Sequence, residues 1–378
     1  MEQKKSQLKK IYIVAGEASG DLLGAKLISA LKKGNKNFEF RGVGGEKMIS
    51  EGLTSIFKMS DLSVMGFIEV LPSIPRIYDR LISTVKDIEQ YQPDIIITID
   101  SPGFNFRLAA KIRQKLGDSI KLIHYVAPSV WAYKPERVQI VKALYNHLLL
   151  ILPFEKKYFD KVEMPSTFVG HPILEDEPET RKIDEKLLIM MPGSRMSEVR
   201  RHLPIFLKSL DIVKREVSDL RVFIPTIPKV RKYIQKKIIK YPYISFSDDF
   251  LVKKQQLSKT CAAVVKSGTS AMEMVANNIP AVVAYKINFL SAMYLKSQLQ
   301  IKYASIINIL QDKEIIKEFL QDKLNPVDLS QEILHLLQDK KYRANLLNEY
   351  EEAKKLLIDK SKPTPSDQAA TVVLEMIS

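Results

Sequence analysis

The chain has 378 residues, of which 46% are apolar and 27% charged, so it is long enough for two or three domains with sizeable cores. Its one cysteine, Cys261, excludes a disulfide framework and any zinc or iron–sulfur site that needs several cysteines. The net charge of +14 favours an anionic partner, such as a nucleotide, a nucleic acid or an acidic membrane surface. A solvated, lysine-rich surface explains the same charge.

No stretch of the sequence reaches the ~18 apolar residues that a membrane-spanning helix needs. The basic first ten residues precede apolar residues 11–15, as in a signal peptide, but this apolar stretch is too short and no cleavage pattern follows. With a single cysteine and no spanning segment, the sequence predicts a cytoplasmic protein, and any contact with a membrane must be peripheral.

Short apolar runs alternate with amphipathic stretches in the first half of the chain. The apolar runs are residues 11–15, 40–43, 95–99, 121–126 and 148–152. The helical patterns between them are residues 21–33, 77–90 and 106–116. Apolar runs of about five residues separated by helices are typical of strands buried on both faces of a parallel sheet.

The alternation stops at residues 172–186, which are polar, charged and proline-bearing and indicate an interdomain linker. It then resumes, with strands predicted at residues 187–191, 221–225, 243–247, 261–266 and 281–285 and helices at 198–216 and 270–277. Two such series predict an α/β fold of two Rossmann-like domains whose parallel sheets face across a cleft. The tail after residue 328 is helical in pattern, with a break at residues 360–365.

Ligands of open α/β sheets bind at the carboxyl ends of the strands, so the residues after each strand are the candidates for function. Gly16-Glu-Ala-Ser-Gly-Asp21 follows the first strand and fits an anion site at a helix N-terminus. The same residues fit a turn in which Ser19 or Asp21 is the helix N-cap.

Two further candidates follow the third and fourth strands. Asp100 comes directly after the third strand, where partial burial would raise its pKa and suit it as a general base. An aspartate that caps the turn before Pro102 fits equally well. The loop from His124 to Trp131 fits a sugar-stacking site or an aromatic satellite of the core.

In the second half, Pro192-Gly-Ser-Arg195 follows a strand and is the best phosphate signal in the chain. Gly193 and Ser194 fit an anion nest and Arg195 a phosphate clamp, while a plain turn with a solvated arginine fits as well.

A second candidate anion site lies in Lys266-Ser-Gly-Thr-Ser-Ala-Met-Glu273, which follows another strand. The N–H groups of Gly268, Thr269 and Ser270 would lie at a helix N-terminus, where Glu273 could accept hydrogen bonds from ribose hydroxyls. The same residues also fit a capping box with Ser270 as N-cap.

Several function classes lack their motifs. No Gly-x-Ser-x-Gly elbow is present, the five histidines form no metal-ligand cluster, and no Asp-x-Asp motif is present. The sequence therefore predicts a reaction on a nucleotide-bearing donor with no metal and no cofactor. The apolar, proline-interrupted stretch at residues 62–80 fits either core or a membrane-interface patch backed by Arg76 and Arg80.

Eight motifs in collinear order resemble lipid-A-disaccharide synthase, a glycosyltransferase family of the GT-B type. They are Gly16-Glu-Ala-Ser-Gly-Asp21, Val64-Met-Gly-Phe-Ile-Glu-Val-Leu71, Ile99-Asp-Ser-Pro-Gly-Phe-Asn105, His124-Tyr-Val-Ala-Pro-Ser-Val-Trp-Ala132, Leu152-Pro-Phe-Glu155, Phe168-Val-Gly-His171, Pro192-Gly-Ser-Arg195 and Ser267-Gly-Thr-Ser-Ala-Met-Glu273. Each motif is weak alone, but the ordered set spans most of the chain and is specific.

The resemblance implies that UDP-2,3-diacylglucosamine donates its sugar to 2,3-diacylglucosamine 1-phosphate, giving the lipid A disaccharide 1-phosphate and UDP. It implies a peripheral location on the inner face of the cytoplasmic membrane, whose anionic surface suits the charge of +14. No nucleic acid partner is expected, and a homodimer is permitted. The UDP-sugar is a substrate rather than a cofactor.

The resemblance also implies site residues. Asp100 would deprotonate the 6-hydroxyl of the acceptor, and attack from the opposite face would invert the anomeric carbon. The donor-binding residues would be Gly193, Ser194, Arg195, Gly268, Thr269, Ser270, Glu273 and Asn308. The acceptor side would be lined by Glu17, Ser19, Gly20, Asp21, Asn105, His124, Ser129 and Trp131. Membrane or acyl-chain contacts would come from Val64, Met65, Phe67, Ile68, Leu71, Ile74, Arg76 and Arg80.

The chain departs from the family at two places. Gly103 stands where many relatives carry an acidic residue, and Ile306-Ile307 replace the more usual Leu-Pro before Asn308. The predicted domains are an acceptor and membrane-facing domain at residues 1–174 and a UDP-sugar-binding domain at 175–360. A C-terminal helix at 361–378 would pack on the N-terminal domain or on a partner subunit.

Three alternatives remain at this point. Another GT-B enzyme that uses UDP-GlcNAc, either a transferase with a different lipid acceptor or a 2-epimerase, would share the nucleotide site. A nucleic-acid-binding protein would need a basic face interleaved with aromatic residues. The third alternative is a noncatalytic peripheral membrane protein. Asp100→Ala separates it from an enzyme, in which the change should abolish turnover while vesicle binding stays intact.

Overall fold

A computed structural model describes residues 8–34, 37–62, 74–178, 180–288 and 301–378. The chain divides into two compact units. Unit 1 comprises Met1–Glu175 together with Leu357–Ser378, and unit 2 comprises Asp176–Leu356. The described residues of each unit form one sheet in which all strands are parallel.

The sheet of unit 1 has seven strands. They are β1 Lys9–Ala15, β2 Phe38–Val43, β3 Leu53–Ser55, β4 Ile95–Ile99, β5 Lys121–Tyr125, β6 His147–Leu150 and β7 Ser166–Phe168, in the spatial order β3-β2-β1-β4-β5-β6-β7. The helices that precede the second unit are α1 Ala18–Lys32, α2 Glu46–Ser50, α3 Ile74–Tyr91, α4 Pro102–Leu116, α5 Arg137–Leu144 and α6 Lys156–Asp160.

The sheet of unit 2 has six strands. They are β8 Asp184–Met191, β9 Arg221–Pro225, β10 Ile244–Ser247, β11 Thr260–Val265, β12 Ala281–Tyr285 and β13 Glu318–Leu320, in the spatial order β10-β9-β8-β11-β12-β13. The helices that follow are α7 Met196–Glu216, α8 Pro228–Ile238, α9 Phe250–Leu257, α10 Thr269–Ala276, α11 Ile306–Gln311, α12 Pro326–Gln338 and α13 Lys340–Leu357, and α14 Pro365–Ile377 returns to unit 1.

Strand β1 shows why its sheet is buried on both faces. Alternate side chains of a strand point to opposite faces, and all of the central residues here are apolar. Ile11 and Ile13 pack into a core cluster with residues of α1 and α14, whereas Tyr12 and Val14 pack into a second cluster with residues of α3 and α4. The prediction of parallel sheets in two Rossmann-like domains is confirmed.

The structure differs from the predicted elements at short or polar segments. All ten predicted strands are present, and β3, β7 and β13 are additional strands of three residues each. The predicted linker at residues 172–186 is wrong at its end, because β8 begins at Asp184. The first three residues of β8 are polar and only partly buried, so they carry no apolar signal although they belong to the strand.

Candidate functional site

The turn after β4 carries the candidate base. Asp100 and Ser101 both adopt the left-handed conformation, with φ of +50° and +46°, which is strained for residues other than glycine. The Asp100 N–H donates to the Tyr125 carbonyl at 2.9 Å, and α4 begins at Pro102. Burial raises the pKa of Asp100, and a hydrogen bond from the Ser101 backbone offsets part of this. The turn presents a partly desolvated carboxyl at the carboxyl edge of its sheet.

Asn105 supports this turn from inside unit 1. Its Nδ2 donates to the carbonyls of Ile99 and Asp100, at 3.2 and 2.7 Å, and its side chain is fully buried. The place of Asn105 on the acceptor side stays a prediction. The amide is used to hold the strained backbone of the base, and we treat Asn105 as a support for Asp100.

His124 is also internal, and its place on the acceptor side stays a prediction. Its Nδ1 lies 2.7 Å from Thr98 Oγ1, and Thr98 donates in turn to the Tyr145 hydroxyl at 3.1 Å. The Tyr145 hydroxyl donates to the Asn105 carbonyl at 3.2 Å. Burial lowers the pKa of His124 to about 3, so the ring is neutral. This network connects β4, β5 and the first turn of α4 beneath the Asp100 turn.

The loop after β1 packs directly against the Asp100 turn. A Cβ at Gly16 would lie 2.6 Å from Ser101 Oγ, so a glycine is needed there. The helix α1 begins at Ala18 with Glu17 as N-cap, so the prediction of Ser19 or Asp21 as N-cap is wrong. Glu17 and Ser19 are half-buried, and Gly20 is buried.

Asp21 serves another helix. Its carboxylate accepts hydrogen bonds from the backbone N–H groups of Gly45, Lys47 and Met48, at 2.8, 3.2 and 3.0 Å. These groups surround the start of α2, where a carboxylate is stabilised by unpaired N–H groups and the helix dipole. Asp21 is buried in this role, and its place on the acceptor side stays a prediction.

The loop after β5 carries the remaining acceptor candidates. Ser129 is exposed, and its carbonyl accepts from the N–H groups of Ala132 and Tyr133 at 3.0 Å. Trp131 is half-buried, and its ring meets the Phe154 ring edge-on, with centroids 5.3 Å apart. Phe154 follows β6, so the loops after two neighbouring strands hold Trp131 at the same sheet edge as Asp100.

Most of the apolar stretch expected to contact membrane lies outside the described residues. This holds for Val64, Met65, Phe67, Ile68 and Leu71. Of the others, Ile74 and Arg76 are exposed at the start of the described part of α3. Arg80 is paired with Asp61 at 2.9 Å and lies over the Phe57 ring. Arg80 is thus engaged within unit 1.

In unit 2, backbone N–H groups of the turn after β8 form the expected anion nest, but the Glu198 carboxylate already occupies it. The backbone N–H groups of Ser194 and Arg195 donate to Glu198 Oε2 at 3.2 and 3.3 Å. Gly193 has a φ of +131°, and a Cβ there would lie 2.6 Å from the same oxygen. A glycine is therefore required, and an internal carboxylate fills the site predicted for an external anion.

Lys266 neutralises this carboxylate and was not singled out by the sequence analysis. Its Nζ lies 3.0 Å from Glu198 Oε1, and an Arg195 nitrogen lies 3.5 Å from the same oxygen. Burial alone raises the pKa of Glu198, but Lys266 and Arg195 outweigh it and hold this pKa below its ordinary value. The signal in the sequence was the position of Lys266 directly after β11, which neighbours β8 in the sheet.

The start of α10 presents the second group of donor candidates. Gly268 is the N-cap with a φ of +117°, and α10 begins at Thr269, so the capping box with Ser270 as N-cap is wrong. Thr269 is exposed and Ser270 is half-buried. Glu273 forms an ion pair of 2.6 Å with Lys253. The left-handed glycine thus leaves the first N–H groups of α10 at the carboxyl edge of the unit 2 sheet.

Asn308 is fully occupied by protein groups. Its Nδ2 donates to the Ile316 carbonyl at 2.7 Å and to Glu318 Oε1 at 2.8 Å, and its Oδ1 accepts from the N–H groups of Ile315 and Ile316, both at 2.9 Å. An amide has two donors and room for two accepted bonds, so none is left for a nucleotide. Asn308 has a structural role in unit 2, and its contact with the donor stays a prediction.

No group of three or more histidine, cysteine, aspartate or glutamate residues is arranged to hold a metal ion in the described part of the chain. Among the helices whose residues are described, none is long and apolar enough to cross a membrane.

Comparison with known proteins identifies the family. A family model described as lipid-A-disaccharide synthetase matches residues 11–373. The lipid-A-disaccharide synthase of Gluconobacter oxydans is 36% identical over 97% of this chain and 91% of its own length.

Solved structures share the fold at low identity. A co-structure of S. aureus MnaA with UDP has a TM-score of 0.67 and 14% identity, covering 98% of this chain and 96% of that one. The kitacinnamycin glycotransferase has a TM-score of 0.62 and 14% identity, covering all of both chains. The fold is of the GT-B type. Matched along nearly its whole length, the chain belongs to the lipid-A-disaccharide synthase family, the UDP-sugar glycosyltransferases of lipid A biosynthesis.

Proposed function

We propose that the chain transfers the sugar of UDP-2,3-diacylglucosamine to 2,3-diacylglucosamine 1-phosphate, giving the lipid A disaccharide 1-phosphate and UDP. Family membership supports the reaction class. The observation that carries the chemistry is Asp100, which stands on a strained turn at the carboxyl edge of a parallel sheet with its pKa raised by burial. A strained backbone and a desolvated carboxyl are typical of a general base, because both cost stability and cluster at functional sites.

In this reaction Asp100 accepts the proton of the acceptor 6-hydroxyl as the oxygen forms its bond to the anomeric carbon. The bond between that carbon and the UDP oxygen breaks, and its electron pair leaves with UDP. Attack from the face opposite UDP inverts the anomeric centre, so no covalent enzyme intermediate is needed. The role of Asn105 is to fix the Asp100 carbonyl and thereby the direction of the carboxyl.

Unit 2 would hold the donor through cations and helix N–H groups. Since Glu198 fills the Gly193–Arg195 nest, the diphosphate would meet the Arg195 guanidinium and the Lys266 ammonium rather than the nest itself. The first N–H groups of α10, at Thr269 and Ser270, would add a second positive region. Both would stabilise the charge that develops on UDP as it leaves.

The proposed lipid substrates also bear on where in the cell the protein acts. Both are anionic and membrane-bound, which suits the charge of +14 and the exposed Ile74 and Arg76 at the start of α3. We therefore extend the proposal to a peripheral location on the inner face of the cytoplasmic membrane. Unit 1 would take the acceptor and unit 2 the UDP-sugar, with no metal. A homodimer remains a prediction.

UDP release from mixed micelles of both acylated substrates tests the proposal. The wild type should release UDP only when the acceptor is present, and Asp100→Asn should lower kcat by roughly 10²–10⁴-fold, the usual contribution of a general base. Asp118→Asn is the matched control, because the Asp118 side chain is 95% exposed in the same unit. UDP release without acceptor, or full activity of Asp100→Asn, would overturn the assignment.

A further inference from the structure

Glu155 is a buried acid that the proposed reaction leaves without a role. Glu155 is 2% exposed. It is the last residue of a short 3-10 helix, Pro153–Glu155, that follows β6. One carboxylate oxygen accepts from the Trp131 indole N–H at 3.3 Å, and the other accepts from the Leu152 backbone N–H at 3.2 Å. The carboxylate therefore joins the loop after β5 to the loop after β6.

The same segment makes a second contact with the indole. Phe154 precedes Glu155, and its ring stands at 89° to the Trp131 ring with centroids 5.3 Å apart. An edge-on aromatic contact fixes the plane of the indole, and the hydrogen bond fixes its rotation. Burying an ionised carboxylate costs free energy unless donors compensate it, so a neutral side chain would serve better if packing were its only purpose.

We infer that Glu155 is a positioning residue, which fixes the Trp131 indole at the sheet edge that carries Asp100 and thereby sets the affinity for the acylated glucosamine acceptor. This inference rests on the proposed function, in which unit 1 takes the acceptor, together with the predicted place of Trp131 on the acceptor side. It adds a proton-sensitive element to that contact.

The protonation of Glu155 couples the indole to pH. Burial raises the pKa of Glu155 to about 7, while the Leu152 N–H, the Trp131 indole N–H and the Ile151 N–H lower it in part. All three are neutral donors, which favour the carboxylate over the acid. A proton taken up below about pH 7 turns one accepting oxygen into a hydroxyl. Trp131 is then held less firmly, and the affinity for the acceptor falls.

The first experiment reads the contact without any substrate. Trp131 is the only tryptophan of the chain, so tryptophan fluorescence excited at 295 nm reports this site alone. In the wild type the emission should titrate with a midpoint near pH 7, and in Glu155→Gln the titration should disappear. Glu163→Gln is the matched control, because its side chain is 91% exposed, and it should keep the wild-type titration. A flat wild-type signal, or a titration that survives in Glu155→Gln, would overturn the inference.

The second experiment measures the acceptor. The Trp131 indole N–H and the Leu152 N–H bond to different oxygens of Glu155. Glutamine replaces one of these oxygens with an NH2 group, which cannot accept, so one of the two donors loses its partner in Glu155→Gln. We expect the KM for the acceptor to rise about fivefold or more, with kcat and the KM for the donor within about twofold of the wild type. The rise in acceptor KM below pH 7 should be smaller in Glu155→Gln than in the wild type. A general packing defect would instead lower the active fraction, and thus kcat, at an unchanged KM.

A double-mutant cycle completes the test. Trp131→Phe keeps an aromatic ring but removes the indole N–H, and it should raise the KM for the acceptor to a similar extent. In the combined variant the two effects should not multiply, because both remove the same interaction. Fully multiplicative effects would overturn the coupling. Failure of the proposed function appears separately, as a wild type that releases no UDP from the acylated donor while its fluorescence still titrates.

Discussion

The Nζ of Lys266 lies 3.0 Å from Oε1 of Glu198, so a lysine at the end of β11 neutralises a carboxylate in the first turn of α7. The other oxygen of Glu198 accepts from two backbone N–H groups of the turn after β8. The protein thus satisfies its own anion nest. In the proposed function, recognition of the donor diphosphate would depend on how firmly Glu198 orients Lys266 and Arg195.

Lys266→Met should weaken UDP binding by about tenfold or more, since a charge-assisted hydrogen bond contributes ~1.5–3 kcal/mol and tenfold corresponds to about 1.4 kcal/mol. Isothermal titration of UDP against the purified protein measures this. Lys236→Met, which changes an exposed lysine of the same unit, should leave the affinity unchanged. Equal affinities of the wild type and Lys266→Met would exclude Lys266 from the donor site.

Asn105→Leu removes both donors that hold the Asp100 turn while keeping a side chain of similar size. We expect a loss of stability of about 1–3 kcal/mol, since two carbonyls lose their partners. Where the variant remains folded, kcat should fall at least tenfold, because the carboxyl is no longer directed. Asn345→Leu, at an exposed position of unit 2, is the control. A variant with unchanged kcat and lowered stability would limit Asn105 to folding.

Most strands could be predicted because their signal is local. Each central strand is a run of apolar residues, as in residues 95–99, and burial on both faces requires such a run. The edge strands β3 and β7 have three residues each, too few for any pattern, and they form because a neighbouring strand supplies the hydrogen bonds. The polar start of β8 was missed because its residues lie at the margin of the core.

The sequence predicted where the candidate site residues lie along the sheet edges, but not which way their side chains point. Asp100 and the turn at Gly193 could be placed at a sheet edge from the strand ends alone, because parallel topology fixes that position. Their roles in the reaction stay predictions. Whether a polar side chain points outward or inward depends on partners that are distant in sequence. Asp21 reaches Gly45, and Asn308 reaches Ile316 and Glu318. No spacing rule could show that these amides and carboxylates were already satisfied by the protein.

The stability of the protein should fall as the pH falls below about 6.5. Burial lowers the pKa of His124 to about 3 and that of His171 to about 4, whereas both titrate near 6.5 in the unfolded chain. Below pH 6.5 the unfolded state therefore binds protons that the folded state does not. Each histidine lowers the free energy of unfolding by up to about 1.4 kcal/mol per pH unit until its folded pKa is reached.

Urea unfolding at pH 7 and pH 5.5 measures this slope. Glu155 contributes with the opposite sign, since its pKa of about 7 lies above its unfolded value, so the slopes of wild type and His171→Gln should be compared. The variant should lose less stability between the two pH values than the wild type. Identical slopes would show that His171 takes up its proton in the folded state.

Lys26 of α1 and Lys33, which directly follows that helix, allow a matched comparison of buried and exposed ion pairs. Lys26 pairs with Glu175 at 3.3 Å where both side chains are mostly buried, and Lys33 pairs with Asp367 at 2.7 Å near the surface. Lys26→Met leaves the buried Glu175 carboxylate without its cation and should cost about 3–5 kcal/mol. Lys33→Met should cost less than about 1 kcal/mol. Chemical denaturation of the two variants gives both values, and equal costs would contradict the ranking by burial.

Glu175 also accepts from the Ser366 N–H at the start of α14, and Ala369, Ala370, Val372 and Val373 of that helix lie in the core beside β1 and β4. Unit 1 consequently begins before unit 2 in the chain and is completed after it. All of unit 2 must be translated before α14 exists, an interval on the order of ten seconds at ordinary rates of synthesis. During that time the apolar face of the unit 1 sheet that packs against both α1 and α14 is only partly covered, and a nascent chain halted before α14 is a natural client for chaperones.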